Sequence, residues 1–138
     1  MLKYSLFAAA GLCALVAAST SQAADVAKGE KIFKRCVACH SVEEGQHKVG
    51  PSLFQIVGRE KNVSGYAYSK LNEAAHHAGL SWTEENLIAY LADPQAFLEK
   101  FLKDAGKADD IAGRTKMTFK LSKQEDREDL VAYLKSLQ

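Results

Sequence analysis

Cys36-Val37-Ala38-Cys39-His40 constrains this chain more than any other stretch. Two thiols three positions apart, followed directly by an imidazole, have the spacing used for covalent haem attachment. One helical turn places both thiols on the same side, where they can add to the two haem vinyl groups, and the histidine follows beneath the ring. The motif therefore predicts one covalently bound haem c, with His40 as an axial ligand of its iron.

The same pair of thiols is compatible with other kinds of site. A thioredoxin-like dithiol has a strand before its C-x-x-C and a βαβ pattern around it, and neither is visible in this sequence. A zinc site needs a fourth ligand at finger-like spacing, whereas no further cysteine follows Cys39. Two structural cysteines beside a chance histidine are the remaining alternative.

The N-terminus has the pattern of a secretory signal peptide. Residues 1–3 form a short basic start, residues 6–18 are an apolar run, and small residues stand three and one positions before a cut after Ala23. The run is too short to span a membrane. We therefore predict an exported protein whose signal, residues 1–23, is cleaved near Ala23 to leave one domain over residues 24–138.

The charges balance overall but are unevenly distributed. The chain has 18 Lys and Arg against 17 Asp and Glu, and loss of Lys3 with the signal would leave 17 of each. The net charge therefore says nothing about nucleic acid, and since no stripe of basic and aromatic residues suggests such a partner, we expect none. Acidic residues crowd positions 125–129, whereas basic residues lie in sequence near the haem motif and the last methionine: Lys34, Arg35, Lys48, Lys100, Lys103, Lys107, Arg114, Lys116 and Lys120. This separation predicts a dipole that steers an acidic partner to one face, with a solvated mixed surface as the alternative.

Helical spacing and capping signals predict an all-α domain with long loops. Asp25 is a plausible N-cap, and apolar residues at helical spacing carry the first helix into the haem motif. Gly29 in that helix costs about 1 kcal/mol relative to alanine, so we expect another helix to cross closely there. The partner is the last helix, for which residues 122–125 have the pattern of a capping box and residues 130–137 supply an apolar face.

The middle of the chain predicts two more helices and one turn. Residues 69–78 form a short helix closed by Gly79, and residues 83–91 form another that stops before Pro94. No run alternates apolar and polar residues for long enough to make a sheet. The segment 49–53 is predicted to be a turn whose carbonyls can accept the second ring N–H of the histidine ligand, although a simple surface turn is the alternative.

Met117 is the candidate for the second axial ligand. It is the only methionine after Met1, so an iron that binds a thioether must bind this one. The rival ligands are His47, His76 and His77. We expect all three to be solvated, because His47 lies in a polar loop and the other two end a short polar helix. A methionine that only fills the core is the alternative.

Beyond the haem motif, several short motifs run along the chain in a fixed order. They are Gly29-x-x-x-Phe33, Gly50-Pro51-Ser52-Leu53, Gly58-Arg59, Gly65-Tyr66-Ala67-Tyr68, Trp82, Tyr90-Leu91, Thr115-Lys116-Met117 and Leu130-Val131-Ala132-Tyr133-Leu134. In this order they resemble the class I c-type cytochromes, and most closely the bacterial cytochrome c2 group, which is similar to mitochondrial cytochrome c. The resemblance covers nearly all of residues 24–138. It implies the cytochrome c fold, in which short helices and long loops wrap one haem and the terminal helices cross.

The resemblance also implies roles for individual side chains. It makes Met117 the sixth iron ligand. Phenol, indole and guanidinium groups are suitable donors for buried haem propionates. The other residues given a role are Arg59, Tyr68 and Trp82 at the propionates with Tyr66 beside them, Tyr90 and Asn72 in a polar network near the methionine sulfur, and Leu53 and Phe119 at the haem wall. For the aromatic residues, core packing alone is the alternative.

The resemblance implies a one-electron carrier and not an enzyme. A low-dielectric pocket and a soft thioether favour ferrous iron, and two filled axial positions leave no site for oxygen. We therefore expect a soluble, monomeric periplasmic carrier between a cytochrome bc1-type complex and a terminal oxidase or photosynthetic reaction centre. Lysines around the haem edge would make a transient, salt-sensitive contact, without stable membrane insertion. The alternatives are an open-site haem enzyme or ligand sensor, and a haem-free secreted dithiol oxidoreductase.

Two segments are longer than the mitochondrial pattern. A few extra residues surround His76 and His77. A longer insertion, residues 95–113, contains Phe97, Leu98, Phe101 and Leu102 at helical spacing. We expect this insertion to add a helical turn or two before the methionine.

Overall fold

The computed structural model describes residues 23–138, so the expected signal peptide lies outside the described residues except for Ala23. Five α-helices and one short 3-10 helix, Ala108–Asp110, follow in order: α1 Val26–Phe33, α2 Lys70–His77, α3 Glu84–Ala92, α4 Pro94–Asp104 and α5 Gln124–Ser136. Residues 23–138 contain no strand beyond one backbone bridge between Arg59 and Trp82. The predicted all-α class is confirmed. No helix in this part of the chain has the length and apolar character needed to cross a membrane.

Side-chain caps start the first three helices, and the cap predicted at Asp25 is confirmed. Asp25, Ser69 and Thr83 each accept a hydrogen bond from the backbone N–H three residues further on. Such caps satisfy N–H groups that have no partner within the helix. Gly79, which follows α2, has a φ of +95°, a conformation that costs glycine little.

The capping box predicted for residues 122–125 is wrong. The N-cap of α5 is Lys123, and its side chain makes no capping hydrogen bond. The Arg127 guanidinium instead donates to the carbonyl oxygens of Leu121 and Ser122, at 2.8 and 2.7 Å. A side chain inside the helix therefore holds the incoming chain, and Ser122 lies one residue too early to act as the cap.

The inserted segment forms a longer helix than expected. Asp93 ends α3 and also caps α4, since its carboxylate accepts the N–H of Ala96 at 3.1 Å. Pro94 then occupies the first position of α4, where its missing N–H costs nothing. The helix has 11 residues, about three turns, and buries Leu98 and Leu102 completely.

The terminal helices cross at Gly29, as predicted. A Cβ built on Gly29 would lie 2.0 Å from the backbone oxygen of Asp129 in α5. The Asp129 carboxylate is buried and accepts the backbone N–H of Asp25 at 2.6 Å, and it also pairs with Lys28 at 3.0 Å. Beside the crossing, the rings of Phe33 and Tyr133 lie 5.4 Å apart. The first helix is thereby fixed in place just before the haem motif.

Candidate haem-binding site

The haem motif follows α1 as a further helical turn. The N–H groups of Cys39 and His40 both donate to the carbonyl oxygen of Cys36, at 3.0 and 2.9 Å. Cys36 is half-buried and Cys39 is exposed, and no disulfide joins them. Burial raises the pKa of the Cys36 thiol to about 11. The two thiols thus stand one turn apart, as the motif predicts.

The imidazole of His40 is held by the turn after it. Its Nδ1 lies 2.7 Å from the carbonyl oxygen of Pro51, which confirms the acceptor predicted in this turn. A carbonyl can only accept, so Nδ1 carries the proton and Nε2 is the nitrogen left for a metal. A Cβ on Gly50 would lie 2.3 Å from His40 Cε1, so the backbone here touches the ring. Burial lowers the pKa of His40 and favours the neutral form that binds iron.

His47 braces the loop between the haem motif and Arg59. Its Nε2 lies 2.9 Å from the carbonyl oxygen of Ser64, and its Nδ1 accepts the N–H of Ser52 at 3.0 Å. The expectation that His47 is solvated is wrong, because backbone groups on both sides use its ring nitrogens. The same loop brings Leu53 into contact with the core, where it is half-buried.

The segment that carries Met117 lies outside the helices and packs against the core. Met117 and Phe119 are half-buried there, and the guanidinium carbon of Arg35 lies 4.8 Å from the centre of the Phe119 ring. This cation–π contact joins the haem motif to the methionine segment. No signal in the sequence pointed to Arg35 in this role.

The polar network predicted around Asn72 is present next to this segment. Thr115 is buried and its hydroxyl donates to Asn72 Oδ1 at 3.2 Å, and the hydroxyl of Ser69 donates to the same oxygen at 2.7 Å. Tyr90 is buried beside them. Its burial raises the pKa of the phenol, although hydrogen bonds with Thr115 and Asn72 oppose that shift. The role of this network beside the sulfur of Met117 stays a prediction.

Arg59 and Trp82 are brought together by the backbone bridge. The N–H of Trp82 donates to the carbonyl oxygen of Arg59 at 2.7 Å. The Arg59 guanidinium is partly buried and donates to the carbonyl oxygens of Ser52, at 3.1 Å, and Phe54. Of the ion pairs found among residues 23–138, none includes Arg59. A partly buried cation without an anion is costly, so this arginine fits a carboxylate such as a haem propionate.

Two tyrosines pack against each other in the segment that follows Arg59. The rings of Tyr66 and Tyr68 are 4.9 Å apart. The phenol of Tyr66 donates to the carbonyl oxygen of Val49 at 2.7 Å, and that of Tyr68 accepts the N–H of Val63 at 3.2 Å. Arg59 thus lies next to Trp82 and Tyr66 next to Tyr68, and binding of the propionates by Arg59, Tyr68 and Trp82 stays a prediction.

His76 is partly buried, so the expectation that it is solvated is wrong. Its ring centre lies 5.7 Å from that of Trp82 and 6.4 Å from that of Tyr68, whereas His77 is exposed as expected. The reason is helical periodicity, since His76 stands four residues after the buried Asn72 and shares its face of α2. That spacing is a signal which could have placed it correctly.

We expect His76 to make the folded protein less stable in acid. Burial lowers its folded-state pKa below the ordinary value of 6.5. The unfolded chain then binds a proton first, and stability falls below that pH by up to about 1.4 kcal/mol per pH unit. Denaturant unfolding at several pH values should show that the free energy of unfolding falls less in acid for His76→Phe than for wild type. His77 is exposed, so His77→Phe should behave as wild type. An equal fall in the free energy of unfolding at low pH in wild type and His76→Phe would contradict this assignment.

These residues fit a covalently attached haem. The structure supplies two thiols one turn apart, an imidazole with one ring nitrogen already occupied, a half-buried thioether and an arginine without an anion. Thiol and imidazole groups at this spacing match c-type attachment. The thioredoxin-like alternative lacks its βαβ unit, since the described part of the chain has no strand.

Comparisons with known proteins agree with this interpretation. The Cytochrome c family model matches residues 26–138. A cytochrome c2 of Rhodopseudomonas palustris is 53% identical over 114 residues, which are 82% of this chain and 98% of the relative. Cytochrome c2 iso-1 of Rhodospirillum centenum is 51% identical over 117 residues, with 83% and 98% covered.

Solved structures of the same group share the fold. The ferricytochrome c2 of Rhodopseudomonas palustris aligns with a TM-score of 0.78 and 49% identity, covering 83% of this chain and 99% of that one. Cytochrome c2 of Rhodospirillum centenum aligns with a TM-score of 0.78 and 52% identity, covering 82% and 98%. The predicted cytochrome c fold is confirmed.

The relatives also define the cofactor and the general activity. Cytochromes c2 are electron carriers and not enzymes, and the family holds one covalently bound c-type haem with its iron. Because family model, sequence identity and fold agree along nearly the whole described domain, this chain belongs to the cytochrome c family as a class I electron-carrier cytochrome of the bacterial c2 group.

Proposed function

We propose that this cytochrome carries single electrons on an iron bound by His40 Nε2 and Met117 Sδ. When bound, the haem supplies an iron that alternates between the ferrous and ferric states. The hydrogen bond of His40 Nδ1 to Pro51 supports this proposal most directly, because it leaves Nε2 as the metal-binding nitrogen. Among the rivals of Met117, His47 has both ring nitrogens engaged by the backbone, and no other methionine lies in residues 23–138.

The remaining site residues would hold the cofactor and exclude water. Cys36 and Cys39 would form the two thioether bonds, and Arg59, Tyr68 and Trp82 would bind the propionates, with Tyr66 next to them. Leu53 and Phe119 would keep water from the ring plane, and Tyr90 with Asn72 would stabilise the methionine side. An environment that excludes water disfavours the extra positive charge of ferric iron and so raises the reduction potential.

The setting we propose is the bacterial periplasm. Residues 1–23 would direct export and be removed, and residues 24–138 would act as a monomer. The electron donor would be a cytochrome bc1-type complex, and the acceptor a terminal oxidase or a photosynthetic reaction centre. Cytochromes c2 of Rhodopseudomonas palustris and Rhodospirillum centenum are similar over nearly this whole domain, and that similarity supports the proposal.

The distribution of charge supports docking through the face that bears the haem motif. Lys34 is exposed at the end of α1, two residues before Cys36. Lys100 and Lys120, which the sequence also assigned to this region, pair with Asp104 and Asp93 at 2.5 Å and so add less net charge. The acidic start of α5 is partly neutralised by Lys28. Lys34 is in none of the ion pairs found among residues 23–138, so it is the more effective contact for an acidic partner.

We expect Lys34→Glu to slow electron exchange with an acidic partner. A change of two charges near the contact should lower the second-order rate constant about fivefold at low ionic strength. Salt should weaken the effect. Lys123→Glu, at the start of α5, carries the same change of charge and serves as the matched control. Stopped-flow kinetics with a purified cytochrome bc1 complex measure both variants. Equal rates for the two variants would place the docking face elsewhere.

A further inference from the structure

The segment that carries Met117 lies outside every helix and depends on contacts with the α3–α4 junction. We call residues 113–121 the methionine loop. Before the methionine, the backbone N–H of Thr115 donates to Gln95 Oε1 at 2.9 Å. After it, the N–H of Leu121 donates to the carbonyl oxygen of Leu91 at 2.8 Å. The α3–α4 junction thus holds the methionine loop on both sides of the ligand.

The Gln95 amide is oriented for this contact. Its Nε2 donates to Glu99 Oε1 at 2.6 Å, one turn later in α4, and lies 3.5 Å from the carbonyl oxygen of Gly113. A carboxylate and a carbonyl only accept, so the amide nitrogen must face them and the amide oxygen must face Thr115. Glu99 therefore fixes the orientation in which Gln95 accepts the Thr115 N–H.

The helix that presents Gln95 is firmly attached to the domain. Leu98 and Leu102 have no exposed surface, and Asp93 caps the first turn of α4. Gln95 lies in that first turn. An acceptor on such a helix stays in place when a neighbouring loop fluctuates, because moving it would expose two buried leucines.

The contacts of the loop differ in strength. The Lys120–Asp93 pair spans 2.5 Å between side chains that are 56% and 35% exposed, so solvent and salt screen it. Thr115 is only 8% exposed, and removal of Gln95 would leave its N–H buried without an acceptor. An unsatisfied buried donor costs more than a lost surface pair. Gln95 is therefore the stronger of these two side-chain contacts.

We propose that Gln95 is a positioning residue for the sixth ligand, holding the methionine loop closed and limiting how often Met117 leaves the iron. The proposal rests on the proposed ligation by Met117. It assigns a purpose to the inserted helix α4, whose first turn supplies an acceptor at the point where the ligand-bearing segment passes.

The test is binding of imidazole to the oxidised haem protein. Imidazole can take the iron position only after Met117 has left it, so its apparent affinity reports loop opening. Gln95→Ala should bind imidazole about five- to tenfold more tightly, the change expected for one hydrogen bond whose loss exposes a buried donor. Gln95→Asn, whose amide is one methylene shorter, should also bind it more tightly. Lys103→Ala, an exposed change on the same helix, should match wild type.

Exchanging the two side chains at positions 95 and 99 tests whether the contact with Thr115 can be restored. In Gln95→Glu combined with Glu99→Gln, a carboxylate oxygen still faces Thr115 and the new amide at position 99 can donate to it. This double variant should restore wild-type imidazole affinity. The tighter imidazole binding of the single variants should also persist at high salt, because it does not come from the loss of an ion pair.

The outcomes separate this proposal from the proposed function. Unchanged imidazole affinity in Gln95→Ala and Gln95→Asn, with the sulfur-to-iron absorption band present, would overturn the role of Gln95. A loss of global stability without a change in imidazole affinity would show a merely structural role and overturn it as well. Absence of that band from the wild-type protein would instead remove the ligation by Met117 on which the proposal rests.

Discussion

Met117→Ala should open the iron to external ligands and lower the reduction potential. The variant removes the only thioether in residues 23–138. We expect the sulfur-to-iron charge-transfer band of the oxidised protein to disappear and the reduced variant to bind carbon monoxide at neutral pH. Since axial ligands set haem potentials over a range of roughly 0.8 V, we expect a fall on the order of 100 mV or more.

The control for this variant is the adjacent exposed residue. Thr118→Ala changes the same segment without removing sulfur, and it should keep the band and the potential of wild type. Absorption spectra and a redox titration measure both properties. Met117→His offers a second check, since a protein that kept the charge-transfer band with histidine at this position would show that another group supplies the sulfur signal.

Gly29→Ala should destabilise the protein by about 3 kcal/mol, even though alanine is the better helix former. The added Cβ would stand 2.0 Å from the backbone oxygen of Asp129 and 2.8 Å from the Cβ of Tyr133. A backbone carbonyl cannot rotate away as a flexible side chain can, so α1 and α5 must separate. That separation would weaken the packing of Phe33 against Tyr133 and disturb the segment leading to Cys36.

An exposed site on the same helix separates packing from helix propensity. Ala27→Gly should cost about 1 kcal/mol through propensity alone. If helix propensity alone decided the effect at position 29, Gly29→Ala would stabilise the protein by about that amount. Denaturant unfolding of the haem protein measures both variants, and a Gly29→Ala variant as stable as wild type would show that the helices are not in contact there.

Local signals in the sequence were enough to predict the parts of the fold that follow short-range rules. The cap at Asp25 depends on a hydrogen bond to the backbone N–H of a residue three positions away. The close crossing at Gly29 was predicted because a glycine inside a helix needs a packing reason. The contact of His40 with Pro51 was predicted because a ligand histidine needs an acceptor for its second nitrogen.

Features that depend on distant partners could not be predicted in this way. The hydrogen bond between Gln95 and Thr115 joins residues 20 positions apart, and nothing in either segment indicates the other. Arg127 replaces the predicted capping box because its side chain reaches back to two carbonyls, a choice that the local pattern does not show. The spacing from Asn72 could have indicated that His76 is partly buried, but not that its ring lies 5.7 Å from that of Trp82.

The most direct test is the absorption spectrum of the purified wild-type protein in both oxidation states, with carbon monoxide added to the reduced form. Ligation by His40 and Met117 predicts a sulfur-to-iron charge-transfer band in the oxidised protein and no spectral change with carbon monoxide. A wild-type protein that lacks the band and binds carbon monoxide would have an open coordination position, and that result would contradict the account of this protein as a carrier whose iron is bound on both sides.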